Sequence, residues 1–200
     1  DERHGMRYKM IILFFVLLFN QLAAQDETLF TGDIESGRYV SLLSQIGQIN
    51  NETGIFVGGQ GGWIINHRFV IGGRAYGLVN EVDISDFQNL ILDFGCGGLF
   101  LEYIISSNKL LHFSVQSMIG AGGVRFAVKD YKTNHDDFEY SNDRFFVVEP
   151  GINLILNIHK KFRLGGGITY RHISGVEYEN LSDSNLSGLS AQLFLKFGKF

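Results

Sequence analysis

Seven charged side chains stand in stretches that are otherwise apolar and Gly-rich: Arg74, Asp93, Glu102, Arg125, Glu149, Arg171 and Lys196. A carboxylate or guanidinium in such surroundings can act as an acid–base group, line a path for ions, or neutralise a partner. The third use is forced wherever these groups leave water, because an unpaired buried charge is strongly destabilising. Their spacing brings several together. If the chain reverses near Lys160, Glu149 falls opposite Arg171, and a reversal near His67 puts Gln60 opposite Arg74. Directly opposed residues of an antiparallel pair lie on one face, so each pair points the same way. Arg125, one strand earlier, is expected at the height of Glu149, giving an inward cluster of Arg125, Glu149 and Arg171. Gln60, Arg74, Asp93, Glu102, Asn153, Gln192 and Lys196 are the other inward polar positions. Two readings stay open for this interior: a packed, charge-paired plug, or a narrow path for ions or small solutes.

Other chemistry finds less support. The Gly58-Gly59-Gln60-Gly61-Gly62 run lacks the Lys-Ser/Thr pair and the following helix of a phosphate loop, and reads as room-making in a narrow interior. His67, His112, His135, His159 and His172 are scattered, with no Cys/His grouping at metal-ligand spacing. His172 and Ser174 share a strand face, as a lipid hydrolase would need, yet no orienting acid accompanies them. Cys96 is the single Cys and forms no internal disulfide; it reads as a small apolar residue. No catalytic, cofactor-binding or metal-binding residue is assigned, and no cofactor is expected. The segments 80–88, 129–143 and 176–186 are acidic, through Glu81, Asp83 and Asp86, then Asp130, Asp136, Asp137, Glu139 and Asp143, then Glu177, Glu179 and Asp183. Asn134-His135-Asp136-Asp137 lacks the spaced oxygens of a Ca²⁺ loop. These acids read as solvated surface, with divalent-ion bridging to anionic lipid or contact with a partner as the alternatives.

The elements that must position these groups are strands. Hydrophobic residues make up 45% of the 200-residue chain and charged ones 19%, with 25 Gly and one Pro. Past the first 24 residues no helical period survives. Apolar runs broken by Gly and ended by Asn, Asp and Ser predict strands at 38–48, 54–66, 68–79, 89–105, 110–128, 144–158, 162–174 and 187–200. Tight turns at His67-Arg68, Ser107-Asn108 and His159-Lys160-Lys161 alternate with the long acidic loops. In the last strand Leu189, Ala191, Leu193, Leu195 and Phe197 share one face, while Ser190, Gln192 and Lys196 share the other. A soluble sandwich would turn the apolar face inward. A membrane barrel turns it outward and leaves the polar, Gly-rich face to a crowded lumen.

The fold expected is therefore all-β: an eight-stranded antiparallel up-and-down transmembrane β-barrel, its short turns on one rim and its long loops on the other. Trp63, Phe69, Tyr103, Phe113 and Phe197 should form an aromatic girdle at the short-turn rim, with Tyr76, Phe126, Phe146 and Tyr170 toward the other rim. The alternation of the strands at 89–105 and 110–128 slips in sequence, so bulges or tight bends are expected at Gly97-Gly98 and Gly122-Gly123. Upstream, Met6-Arg7-Tyr8-Lys9 is a basic segment, residues 10–19 are apolar, and Leu22-Ala23-Ala24 offers a small-residue cleavage site. Residues 6–24 thus read as a cleavable signal peptide, 1–5 as an upstream extension, and 25–200 as one barrel domain. The net charge of −4 gives no surface for nucleic acid.

A resemblance follows from Gly58-Gly59-Gln60-Gly61-Gly62-Trp63-Ile64-Ile65-Asn66-His67 with Phe69-Val70-Ile71-Gly72-Gly73, from Tyr76-Gly77-Leu78-Val79-Asn80, and from the Leu-Ala-Ala-Gln signal ending. The chain resembles the small outer-membrane β-barrel proteins of Gram-negative bacteria, of the OmpA-like barrel type, and more closely the roughly 200-residue barrel proteins of Bacteroidota. The resemblance implies a non-enzymatic protein of the cell envelope with a structural or surface-interaction role, its long loops extracellular and its termini periplasmic. The alternatives are a narrow channel and a lipid-modifying hydrolase or acyltransferase. Outer-membrane lipid and lipopolysaccharide are the implied surroundings and the barrel-assembly machinery the implied folding partner; no surface ligand is indicated. Phe197, rather than Phe200, continues the lipid-facing stripe, which implies either a bulge near Gly198 or an anchoring role for Phe197.

Overall fold

The computed structural model describes residues 36–82, 90–128, 142–176 and 182–200, with the backbone alone at 90–91, 126–128 and 142. The signal segment, His135 and the loop acids Asp83, Asp86, Asp130, Asp136, Asp137, Glu139, Glu177 and Glu179 lie outside the described residues. The strands are β1 (Ser36–Ile49), β2 (Glu52–Ile65), β3 (Phe69–Leu78), β4 (Leu90–Ile105), β5 (Leu111–Val128), β6 (Asn142–His159), β7 (Phe162–Ser174) and β8 (Gly188–Lys199). A single helical turn, α1 (Asp183–Leu186), stands between β7 and β8. Each strand pairs antiparallel with the next, and β8 returns to β1 with Ser44 opposite Leu193 and Gln45 opposite Gln192. Closure removes every sheet edge, so backbone N–H and C=O groups that hydrocarbon could not satisfy are satisfied by neighbouring strands.

The alternation in each strand resolves into an inside-out protein. Leu193 is 58% exposed while its neighbour Gln192 is 5% exposed. In β1, Val40, Leu42 and Ile46 point out while Ser41 and Gln45 point in. Water would not tolerate a wall built this way; hydrocarbon does, and the barrel is transmembrane. The inward face of β2 reads Gly54, Phe56, Gly58, Gln60, Gly62, Ile64, small and large in turn, which lets side chains interdigitate across a narrow interior.

Three expectations change. The first hairpin breaks the long–short rhythm: β1 and β2 join through Asn50-Asn51 on the long-loop rim, with φ of 49° and 62°. Asn tolerates the left-handed region that a two-residue hairpin turn demands. Second, β4 and β5 keep one phase throughout, their register running unbroken from Leu90↔Val128 to Ile105↔Phe113. No bulge lies at Gly97-Gly98 or Gly122-Gly123. Gly98 and Gly120 face each other on the inner wall, and a Cβ on either would run into the other's backbone. Their lack of a side chain hid the alternation without breaking it. Third, the β1–β8 register continues through Tyr39↔Gly198 to Arg38↔Lys199, so no bulge lies at Gly198. Phe197 faces outward and Phe200 turns to stack on Tyr39, ring centroids 6.0 Å apart. The register shifts instead between β6 and β7, at Asn157/His159.

Arginine placed at Leu193, midway along the outer wall, should cost about 2–4 kcal/mol, the depth-dependent penalty for a cation on a lipid-facing strand. Leu193→Arg should lower the urea midpoint of the refolded barrel, whereas Leu193→Ile should leave it close to wild type.

Candidate functional site

The polar interior is assembled from strands distant in sequence. Arg74 on β3 uses Nη2 to donate to Glu149 Oε1 on β6 and to Gln192 Oε1 on β8, each at 2.9 Å. Gln45 on β1 donates to the same Glu149 oxygen at 2.9 Å, and the Tyr76 hydroxyl donates to Glu149 Oε2. Gln192 in turn donates to Asn153 Oδ1, and Asn153 Nδ2 donates to Gln116 Oε1 at 2.8 Å and Ser114 Oγ at 3.2 Å. A second ion pair lies apart from the first. Lys196 Nζ meets both Glu102 oxygens at 2.6 and 2.7 Å, and the Tyr39 hydroxyl donates to Glu102 Oε2 at 3.0 Å. These charge-assisted bonds match Arg74 and Lys196 each with a buried carboxylate.

Apolar side chains close off what the polar groups leave. Phe56, Phe94, Phe145 and Phe194 belong to one buried cluster, and Ile64, Val70, Phe100 and Ile104 belong to another. At the long-loop mouth Val82 and Leu186 are fully buried against the first cluster. Arg171 holds this stopper down. Its Nε donates to the Leu186 carbonyl at 2.8 Å and its Nη2 to the Gln48 carbonyl at 2.9 Å. The flat face of the guanidinium lies 4.5 Å from the Phe56 ring and 5.0 Å from that of Phe94. Asn50 N–H adds a 2.6 Å bond to the Asn185 carbonyl, tying the first hairpin to α1.

Gln60, Arg74, Glu102, Glu149, Asn153, Arg171, Gln192 and Lys196 are all buried in the lumen, and Gln60 stands opposite Arg74. Arg125 and Asp93 are not there. They face each other across β4 and β5 on the outer wall, so the expected Arg125–Glu149–Arg171 cluster does not form. Its physical reason is parity. Asp93 and Glu102 are separated by an odd number of positions, as are Arg125 and Gln116, and an unbroken strand cannot turn both members inward. Glu149 takes Arg74 as its partner instead, and Arg171 serves the loop. Tyr76, expected near the outer rim as a girdle residue, shares the inward face of Arg74 two positions away and joins Glu149. Tyr39, Gln45 and Gln116 complete the network; their even spacing from Ser41, Leu43 and Ser114 marks the inward face.

Trp63, Phe69, Tyr103, Phe113 and Phe197 are exposed on the outer wall near the short turns. Phe69 meets Tyr103, and Phe162 meets Phe197, each pair with centroids 4.9 Å apart. Phe146 and Tyr170 face outward toward the other rim; the side chain of Phe126 is outside the described residues. His172 and Ser174 lie on the outer wall of β7, and among the described residues no hydrogen bond joins them. Among the described residues no group of three or more His, Cys, Asp and Glu side chains could hold a metal ion. Cys96 is buried.

Glu149→Leu leaves the Arg74 guanidinium buried without its counter-ion and should destabilise the barrel by about 3–5 kcal/mol. Arg74→Met in the same chain should restore most of that loss. Arg125→Gln, on the outer wall near the rim, should change stability by about 1 kcal/mol or less. The fluorescence of Trp63, the single Trp, followed through urea titration reads all three.

No family profile matches the chain, and no curated protein sequence matches it. Solved structures do. Neisserial surface protein A (NspA) aligns over 84% of this chain and 100% of its own, at 10% identity and a TM-score of 0.59. The N-terminal β-barrel domain of Pseudomonas aeruginosa OprF aligns over 83% of this chain and 99% of its own, at 10% identity and a TM-score of 0.55. Ail, the attachment invasion locus protein of Yersinia pestis, in complex with the heparin analogue sucrose octasulfate, aligns over 84% and 99%, at 11% identity and 0.52. At these identities the likeness is one of fold: the chain has the closed eight-stranded barrel of the small outer-membrane proteins.

Proposed function

We propose that this chain is an exported outer-membrane protein with a structural or surface-interaction role and no enzymatic activity. The observation that carries the reading is the contrast between its two surfaces. The outer wall is apolar and girdled, while the lumen is filled by paired charges and fully buried phenylalanines and is stoppered at one mouth by Leu186 and Val82. Such a molecule is an anchor that displays its rims and loops. Recognition on such an anchor falls to the loops, which a rigid scaffold holds in place.

The signal-like segment at 6–24 supports export, and the fold shared with outer-membrane barrels supports the destination. Both β1 and β8 reach the short-turn rim at their outer ends, so this rim is periplasmic and the acidic loops face outward in the proposed orientation. Outer-leaflet lipopolysaccharide then adjoins the acidic loops through divalent cations, and the stripe ending at Phe197 is presented to the assembly machinery. The name of the Ail protein refers to attachment, which favours surface interaction over a purely mechanical role. Conduction is disfavoured because Phe56, Phe94, Phe100 and Phe194 are almost wholly buried within the lumen. Lipid hydrolysis is disfavoured because His172 and Ser174 lack an orienting carboxylate among the described residues.

Membrane fractionation tests the assignment: the protein should be recovered with the outer membrane and migrate faster on a gel before heating than after. A cysteine introduced at Glu81 should react with an impermeant thiol reagent on intact cells. Planar bilayers containing the purified barrel should show no steady conductance. Recovery in the soluble periplasm would defeat the reading, and a steady current enlarged by Leu186→Gly or abolished by Glu149→Leu would replace it with a channel.

A further inference from the structure

The short-turn mouth differs from the stoppered one in having an arginine whose donors are unused. Arg163, the first inward residue of β7, is only 8% exposed. Its guanidinium carbon lies over the Phe200 ring, 4.0 Å from the centroid. Stacking occupies the face of the group and leaves its edge, with five N–H donors, available. Among the described residues no acceptor or counter-ion meets that edge. The acid of this end, Glu102, is taken at both oxygens by Lys196 and at one by Tyr39.

Two hollows meet at this side chain. One runs between the turn at Asn66, His67 and Arg68 and the turn at Ser106, Ser107 and Asn108; the other lies beside His159 and Lys160; Arg163 and Phe200 line both. The first hollow continues outward to Tyr103 and Ile105, on the lipid-facing wall. Around it Arg38, Arg68, Lys109, Lys160, Lys161 and Lys199 are exposed, and among the described residues of this rim Glu102 is the only acidic side chain. Cations crowded about a low-dielectric hollow raise the local concentration of anions.

The geometry points to an oxyanion site at the short-turn mouth, in which Arg163 holds the phosphate of a membrane lipid. A planar fork matches the paired oxygens of phosphate, and charge-assisted bonds made away from bulk water are the strong ones. The opening toward Tyr103 selects the source: a lipid can keep its tails against the girdle while its headgroup leans over the rim between the two turns. Arg68 then closes over the phosphate from the turn. This site rests on the transmembrane reading above.

The test uses the full chain in nanodiscs of phosphatidylcholine doped with phosphatidylglycerol, with retained lipid counted by native mass spectrometry. Heat-modifiable migration of each variant reports insertion separately, so failure of the membrane reading and failure of the site are told apart. Wild type should retain phosphatidylglycerol preferentially. Arg163→Gln should lower retention about tenfold, the effect of losing one charge-assisted contact. Arg163→Lys, which keeps the charge without the fork, should fall between, and Lys160→Gln should resemble wild type. Equal retention by folded Arg163→Gln and wild type would overturn the site, leaving rim charge alone to hold lipid. Inorganic phosphate that shifts the Arg163 Nε–H resonance in micelles, with no lipid retained, would overturn the lipid source.

Discussion

Arg74 and Glu149 meet deep in the lumen, both almost wholly buried, and the polar interior of the barrel is arranged around that contact. An eight-stranded barrel is just wide enough for side chains to occupy. The inward charges of Arg74, Glu102, Glu149 and Lys196 therefore find their partners inside, across the lumen, on strands they do not neighbour in sequence. Glu149 collects donors from β1 and β3, through Gln45, Arg74 and Tyr76. Gln192 and Asn153 pass the network on to β5. A buried ion pair adds little net stability, because desolvating two charges offsets much of their attraction. Its contribution here is to register. Sliding one strand by a single residue would turn its lumen side chains into lipid and strip Glu149 of a donor.

The faces of the strands were legible because a membrane barrel writes them with period two. Leu193 against Gln192, and Ile152 against Asn153, needed no long-range information. Parity was equally available for Asp93 and Arg125, whose odd spacing from Glu102 and Gln116 places them outside. It was obscured by glycines, which carry no hydropathy of their own: with Gly95, Gly97 and Gly98 in β4 and Gly120, Gly122 and Gly123 in β5, the alternation has too few side chains to show its phase. The chemistry of closure pulled the other way, since three charges at one height invite a cluster. Tyr76 was misplaced because an aromatic near a rim fits a girdle as well as a core, and only its separation from Arg74 decides between them.

Arg171 and Arg163 show what no pattern of residue types could reveal. Both lie on the inward face of β7, and both stack on phenylalanine. The acceptors of Arg171 are the carbonyls of Gln48 and Leu186, a group every residue carries, so nothing in the sequence singles those positions out. What brings them within reach is α1, whose single turn carries Leu186 down into the mouth. Among the described residues, the connections at the counterpart end are the tight turns after β2, β4 and β6, too short to fold back over the lumen.

This difference in loop length accounts for the polarity of the molecule. Where the connections are long, they supply Leu186 and Val82 as a lid and carbonyls for Arg171, and the lumen ends in an apolar seal. Where they are short, the connections can place charge at the rim but cannot themselves cover it. Among the described residues the acidic side chains of that end are reduced to Glu102, which is committed to Lys196, so no acidic side chain there is left to pair with Arg163. One mouth, among the described residues, is sealed by Val82 and Leu186 and the other is ringed by cations. Beyond the lipid-facing wall, the two rims offer opposite charge, acidic segments in sequence at one and exposed cations at the other.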